Sequence, residues 1–307
     1  MLVLFIPWVL IVMMAIGLLC LVKKKWTYAT ILFVSIVLIN RRGECIPLRL
    51  SYPQKTESVS LKVVSFNING STGDIRNKGY KIKEFLRRYS PDIVFIAEYN
   101  EQNPKLLDSL LNKEFKYSTY RSRLLFQYFY SNIPLFNINR LKDYEGKHIG
   151  IFTCSTIYQG DTIDLYGCHL VSNNYNINQE REGVENIGGE VEVWKYVRNI
   201  QDASRVRYKE ASIAAREILK STHHVIVLGD LNDVGGSEAL RVLEKSGLKD
   251  AWWEGGVGYG ATFYKPLPFR IDHIMHTKGL TLDNIRVLDS EGNSDHNALY
   301  AEFSIDK

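Results

Sequence analysis

A mixed α/β or α+β class follows from three observations. From about Leu61 onward, short apolar runs of strand length alternate with amphipathic stretches of helical period. Turn-forming Gly, Asn, Asp and Pro stand between them. The chain has 307 residues, 45% apolar and 23% charged, enough to bury a sizeable core as one large domain or two ordinary ones.

The N-terminus differs in kind. Residues 2–22, LVLFIPWVLIVMMAIGLLCLV, carry no charge and would make ~30 Å of helix, the thickness of a hydrocarbon core. A signal peptide fits poorly, because no Lys or Arg precedes the stretch and no small-residue cleavage pattern follows it. Lys23–Lys25 end it, and a second apolar stretch runs from Trp26 to Ile39. At 14 residues it is short, but Lys25 and Arg41 can snorkel from its ends. The expectation is a membrane anchor over 1–40 with two spans, 2–22 and 26–39. An interfacial helix is the alternative for the second stretch. Two spans and the positive-inside rule put Lys23–Lys25 in the cytoplasm and the large domain on the extracytoplasmic side. Arg41, Arg42 and Arg49 pull the other way. Residues 41–60, with Pro47 and Pro53 and no sustained period, read as a linker; 61–307 reads as the main domain.

Within 61–307 the elements come in order. LKVVSFNI (61–68) reads as a strand. Residues 75–90 read as a helix, with Ile82, Phe85 and Leu86 at helical spacing. PDIVFIAEY (91–99) is a buried strand opened by Pro91. Residues 104–115 make a second helix. Residues 148–157 and 162–170 pair around the turn YQGD. Residues 172–190, polar and Asn/Glu-rich, read as an exposed insertion. A long helix over about 191–220 keeps Ile200, Ala203, Ala211, Ala214 and Ile218 on one face. Strand 223–230, helix 237–247 (Ser237 as N-cap, Gly247 as stop) and strands 270–277 and 297–305 complete the chain.

The net charge of +4 and a pI near 8.7 are too small and too dispersed to argue for a polyanionic partner. The four cysteines, Cys20, Cys45, Cys154 and Cys168, form no CxxC pair, so neither a zinc cage nor a dithiol redox site is indicated.

Polar residues recur where buried strands end: Asn67 and Asn69, Glu98, His169, Asp230 and Asn232, Asp272 and His273, then Ser294, Asp295 and His296. Each alone has a structural explanation. Glu98 would be a solvated strand end and His169 a satisfied structural histidine. Asp272 would pair with Arg270, and Asp295 would cap a turn. Jointly they suit one chemistry. Carboxylates with an amide oxygen are hard ligands for Mg²⁺ or Mn²⁺. An ion so held neutralises phosphate charge. An Asp can orient and deprotonate water. A protonated His, held by a second Asp, can stabilise phosphoryl oxygens.

The ordered set SFNING, PDIVFIAE, GCHL, GDLND, RIDHI and SDHNAL resembles the endonuclease/exonuclease/phosphatase (DNase I-like) superfamily, over roughly four-fifths of the chain. The resemblance implies a four-layer α/β sandwich, two mixed sheets face to face with helices outside and the site at one end. It implies Glu98 as principal metal ligand, Asn67 supporting the metal site and Asp295 beside it. Asp230 would orient or deprotonate the attacking water, and Asn232 would position it or the phosphate. His296 would stabilise the transition state with Asp272 aligning it, and His169 would contact the phosphate from the opposite side.

Three departures stand out. Leu231 replaces the family's usual Phe. GCHL resembles the sphingomyelinase and tyrosyl-DNA phosphodiesterase branches rather than the exonuclease III branch. The region 172–210 is long and bears Arg198, Arg205 and Arg207, which read either as a solvated helix face or as a phosphate-gripping arm led by Arg207. The implied substrate is a phosphate ester of nucleic acid, nucleotide, lipid or sugar-phosphate headgroup, with a lipid bilayer as partner through the anchor and no obligate protein partner. The alternative is a module of the same fold that binds phosphate or nucleic acid without turnover.

Overall fold

Strict alternation in the central strands sets the layers. β1 (Leu61–Asn67) sends Leu61 and Val63 to one side and Val64 and Phe66 to the other. β2 (Ile93–Ala97) divides Ile93 and Phe95 from Val94 and Ile96 in the same way, and lies parallel to β1 with Asn67 beside Ala97. β3 (Tyr117–Ser118), β4 (Tyr128–Ser131), β11 (Leu280–Leu288) and β12 (Ala298–Ile305) complete a six-stranded sheet in the order β11-β12-β1-β2-β4-β3. A second sheet contains β5 (Phe136–Lys142), β6 (His148–Tyr158), β7 (Asp161–His169), β8 (His224–Asp230), β9 (Leu248–Asp250) and β10 (Asp272–Thr277), in the order β5-β6-β7-β8-β10-β9. Both sheets mix parallel and antiparallel pairs. These features are those of a computed structural model, which describes residues 6–39, 60–69, 75–99, 104–119, 127–173, 192–265 and 267–305.

Phe95, Phe129, Phe152, Leu228 and Trp252 fill the space between the sheets. Each such burial contributes about 1.5–3 kcal/mol relative to exposure. The sheets approach so closely that a Cβ on Gly167 would lie 2.2 Å from the Phe95 ring. α3 (Ile75–Tyr89) and α4 (Pro104–Leu111) cover the outer face of the first sheet through Ile82, Phe85, Leu86, Leu107 and Leu111. α5 (Glu192–Lys220) and α6 (Glu238–Lys245) cover the second through Ala211, Ala214, Ile218, Leu240 and Leu243. The layers therefore run helix, sheet, sheet, helix, as the resemblance implied. Ser237 caps α6 by accepting from the amide of Leu240, as its position in the sequence suggests. Leu231, in place of the usual aromatic, is fully buried against the α6 core, a packing change only.

The two transmembrane spans expected at the N-terminus are not found. α1 (Ile6–Val22) has 17 residues and α2 (Trp26–Ile39) has 14, about 25 and 21 Å of helix. No helix among the described residues is long and apolar enough to cross a membrane. The physical reason is the lysine run: Lys24 takes a left-handed φ of +55°, and the amides of Lys23, Lys24 and Lys25 close the last turn of α1. The chain reverses there, and Gly17 packs against Leu32 in a helical hairpin. Residues 2–5 and 40 of the expected anchor, the linker up to residue 59, and residues 174–190 of the expected insertion lie outside the described residues.

Candidate active site

The strand ends build the site in two facing rows. In the second sheet β7, β8 and β10 end side by side, with His169 opposite Asp230 and Asp230 opposite Asp272 in the ladders. In the first sheet Asn67 closes β1 beside Ala97, Glu98 follows β2, and His296 precedes β12. Because the sheets stack, each residue of one row meets a partner in the other. His296 Nδ1 lies 2.8 Å from Asp272 Oδ2. Asn67 Nδ2 donates to Asp230 Oδ2 at 3.0 Å and to Glu98 Oε1 at 2.9 Å. His169 Nε2 lies 3.3 Å from Glu98 Oε1, and His296 Nε2 lies 3.7 Å from Asp230 Oδ2.

Local backbone geometry explains why these residue types stand there. Gly229 has φ +144°, and a Cβ on it would sit 1.9 Å from the carbonyl oxygen of Cys168. Only glycine lets β8 press against β7 immediately before Asp230. Asn69, Glu98 and Asn232 take left-handed φ values of +42°, +53° and +50°. Asn tolerates that conformation, whereas for Glu98 it costs about 1–2 kcal/mol. Such strain clusters at functional sites. Asn232 closes a turn by donating its amide to Asp230 Oδ1 at 2.8 Å, and its side chain donates to the Leu170 carbonyl at 2.9 Å. The loop after β8 is thereby fixed to the loop after His169.

Electrostatics separates the acids. Burial pushes the Glu98 carboxyl up, but the neighbouring His169 imidazole and a hydrogen bond from Asn67 outweigh it and hold the group at about 2. Burial and the neighbouring Asp272 charge raise Asp230 above the ordinary aspartate value, against the pull of His296 and His169. For His296 burial opposes protonation, yet Asp272 and Asp230 carry it up to about 10. His169 is also raised: its contacts with Glu98 and Asp230 overcome burial. At neutral pH the site therefore holds a charged Glu98, a cationic His296 and an Asp230 with enhanced basicity.

Not every expected residue joins this cluster. Asp295 is half-buried and acts on Lys78 and His296 through its charge. It does not belong to the groups whose ligating atoms lie within 4.8 Å of one another. Arg207 is not the solvent-facing phosphate contact expected. Only 2% exposed, it donates from Nε to Asp233 Oδ2 at 3.1 Å, and from Nη1 to the Val171 carbonyl and Asn173 Oδ1. One turn along α5, Glu210 accepts from the Val171 amide at 3.2 Å. Together they brace the segment after His169 against the loop after Asp230. Arg207→Met is therefore expected to destabilise the fold by about 3–5 kcal/mol, by leaving Asp233 unpaired, with KM little changed. A raised KM at unchanged melting temperature would restore the substrate-contact reading. Arg205 is exposed and pairs with Asp202 at 3.0 Å.

Two residues beside the cluster were not anticipated. Lys78 of α3 donates to the Asn69 carbonyl at 2.6 Å, under the charges of Asp295 and Glu98. Phe263 packs its ring 4.9 Å from that of His296. Lys78 sits among other α3 cations and Phe263 in a Gly-rich stretch, so nothing in the local pattern marks either.

Two overlapping groups of side chains can hold a metal: Glu98, His169 and Asp230, and Asp230, Asp272 and His296, each with ligating atoms within 4.8 Å of one another. Asp272 Oδ1 is buried without a hydrogen-bond partner, an acceptor that a cation would satisfy. The donors are mostly carboxylate oxygens, so the residues fit a hard divalent ion.

Two stacked mixed sheets with acids and histidines meeting across their strand ends define a phosphoester-hydrolase class of fold. A family model agrees: the Endonuclease/Exonuclease/phosphatase family matches residues 64–296, and the chain belongs to that family, whose members hydrolyse phosphate esters. No curated protein matches by sequence. Among solved structures, TDP2 from D. rerio complexed with single-strand DNA product is similar at 17% identity and TM-score 0.57, over 80% of this chain and 100% of that one. The human Nocturnin catalytic domain with bound sulfate is similar at 16% identity and TM-score 0.58, over 83% and 97%. Beta toxin 275-280 from Staphylococcus aureus is similar at 15% identity and TM-score 0.51, over 78% and 99%. At these identities the likeness concerns the fold.

Proposed function

We propose that the protein is a Mg²⁺- or Mn²⁺-dependent phosphoesterase that hydrolyses a phosphodiester or phosphomonoester by water attack, and that its N-terminal hairpin holds it at a lipid surface. The observation that carries the catalytic reading is the set of three cross-sheet pairings: His296 with Asp272, Asn67 with Asp230, and His169 with Glu98.

Glu98 is the principal metal ligand, Asn67 fixes its carboxylate through the side-chain amide, and Asp295 stands beside the metal site. A bound divalent ion supplies neutralisation of phosphoryl charge. Asp230 orients the attacking water and takes its proton, a role its raised basicity suits. Asn232 keeps the Asp230 loop in place and positions water or phosphate. Asp272 fixes Nδ1 of His296, so that Nε2–H faces the phosphoryl oxygens as charge builds on them. His169 contacts the phosphate from the Glu98 side. One bond forms from water oxygen to phosphorus, one breaks to the leaving alkoxide, and that alkoxide takes up a proton.

The substrate classes that fit are nucleic acid, nucleotide, and lipid or sugar-phosphate headgroup. TDP2, complexed with a single-strand DNA product, supports the first by likeness of fold. The lipid-surface reading rests on the hairpin, whose apolar residues are exposed wherever the two helices do not pack on each other.

The test is turnover of bis-p-nitrophenyl phosphate by the full-length protein in detergent. Activity is expected to vanish with EDTA and to return with Mg²⁺ or Mn²⁺. Turnover that persists unchanged after exhaustive chelation would remove the metal-dependent reading.

A further inference from the structure

The loop that carries Phe263 joins the site to the hairpin. Its base is rigid. Phe263 and Phe269 exchange backbone hydrogen bonds at 2.9 and 2.8 Å, and the Asn297 amide donates to the Thr262 carbonyl at 2.6 Å. Thr262 Oγ1 accepts from the Asp272 amide at 3.1 Å. The base is thus tied to both members of the His296–Asp272 pair, and the Phe263 ring lies against His296 itself. At the tip Tyr264 and Leu267 are turned outward, 50% and 40% exposed, with Lys265 exposed beside Tyr264. On the other side of the base, Trp8 of α1 meets Phe269 edge to face, with ring centroids 6.4 Å apart. The rings of Trp8, Phe269, Phe263 and His296 therefore follow one another from the start of the hairpin to the catalytic histidine.

Beyond Trp8 and Leu10 the hairpin leaves the domain. Val12, Leu18 and Val22 on α1, and Trp26, Phe33 and Leu38 on α2, are all more than half exposed. They do not fall on one stripe, as they would on a helix that kept a polar face to water. Such a surface fits acyl chains. The exposed Tyr264 on the adjoining loop is of the residue type that settles at the headgroup level of a bilayer, while Trp8, half-buried against Phe269, ties the hairpin to that loop.

We propose that the apolar hairpin, tied to the loop through Trp8, and the exposed side chains of Tyr264 and Leu267 form a single lipid-facing rim, and that the ester delivered to the site is the phosphodiester of a bilayer lipid. This rests on the phosphoesterase reading above and adds the substrate class and the surface that recognises it. The occupant of the rim is a phospholipid bilayer. Hydrolysis then consumes one water and one lipid phosphodiester. A phosphorus–oxygen bond forms to water, one breaks to an alcohol oxygen that gains the proton, and a phosphomonoester results.

The experiment uses the full-length protein with Mg²⁺ and four probes. These are vesicles of phosphatidylcholine and phosphatidylglycerol, dibutyryl-phosphatidylcholine below its micellar concentration, a single-stranded oligonucleotide, and bis-p-nitrophenyl phosphate. Hydrolysis of vesicle lipid is expected to exceed that of the monomeric short-chain lipid by about tenfold or more, and to exceed that of the oligonucleotide. The double variant Tyr264→Ser/Leu267→Ser is expected to lose about tenfold on vesicles while keeping its rate on bis-p-nitrophenyl phosphate within about twofold. Faster cleavage of the oligonucleotide, equal rates on the two lipid forms, or a double variant unaffected on vesicles would overturn the proposal. Should the double variant lose the soluble rate as well, the wild-type comparison of vesicle with monomeric lipid still decides. Loss of all turnover, bis-p-nitrophenyl phosphate included, would overturn the phosphoesterase reading and this one with it.

Discussion

Asp230→Asn is expected to lower phosphoester turnover by about 10²–10⁴-fold while leaving the folded protein about as stable as before. The two effects separate because Asp230 is poorly placed for stability and well placed for chemistry. It is 2% exposed and faces Asp272 across the β8–β10 ladder, so two acids share a buried space. Burial and that neighbour both favour its neutral form. An Asn of the same shape removes the like-charge repulsion and keeps an oxygen to accept from the Asn232 amide, but sets its NH2 against the Asn67 amide that donates to Asp230 Oδ2, so the two effects on stability oppose each other. It cannot take a proton from water. Measured together, turnover should collapse while the melting temperature stays close to that of the wild type. A variant with undiminished turnover would remove Asp230 from the mechanism. A fall in both quantities would make its role structural.

The parts of this arrangement that were legible in the sequence share one property: they lie where a short, nearly continuous apolar run ends. LKVVSFN and PDIVFIA are such runs, buried on both faces, so the polar residues at their ends, Asn67 and Glu98, stood out. The same holds for HVIVLGD and Asp230. Elements that the reading missed lack such a signal. β5 is an edge strand whose central residues face water, so its sequence NINRLK shows no buried period. β11 carries a register shift between Leu282 and Asn284, which breaks its alternation at the point where it would be recognised. β4 and β9 are 4 and 3 residues long, below the length at which a period can be counted.

Charge was harder to place than apolar pattern. Arg207 read either as part of a solvated helix face or as a phosphate contact, because an arginine on an amphipathic helix gives no sign in the sequence of a buried partner. Its burial depends on Asp233 and Val171, which come from two other segments. The N-terminal stretch failed on length. An uncharged run of about 20 residues predicts a span, but the described helix covers Ile6–Val22 and stops at the lysines, and no helix among the described residues is long and apolar enough to cross a membrane. The cross-sheet pairs themselves could be anticipated as a set of residues, not as partners, because the stacking of two sheets leaves no trace in a linear pattern.

The largest loss of stability is expected at a residue that touches no substrate. Asp250 is 4% exposed and makes three contacts at once. Its Oδ2 accepts from Arg270 Nη1 at 2.8 Å and lies 2.8 Å from His273 Nδ1, and its Oδ1 caps α7 (Ala251–Gly255) by accepting from the Trp252 amide at 2.9 Å. Asp250→Ala leaves the guanidinium of Arg270, itself 3% exposed, buried without its anion. Breaking a buried pair in this way costs about 3–5 kcal/mol, and losing the cap adds about 1 kcal/mol. At roughly 2–4 °C per kcal/mol for a domain of this size, a fall in melting temperature of about 10 °C or more is expected. Burial alone would raise the Asp250 carboxyl, but Arg270 and His273 hold it well below the usual carboxylate range. A depressed folded-state value contributes stability above the unfolded value, near ~4, and that contribution is lost as pH falls toward the folded value. The wild type should therefore lose this stabilisation only in strong acid, while Asp250→Ala lacks it at every pH. The double variant Asp250→Leu/Arg270→Met, which removes both charges, should regain much of the loss, since desolvation of the orphaned cation dominates the single variant. The site is affected as well, because His273 neighbours Asp272 and its Nε2 lies 3.0 Å from the Asp233 carbonyl. Should Asp250→Ala melt within about 2 °C of wild type, the network is not what anchors the end of β10 beneath the catalytic pair.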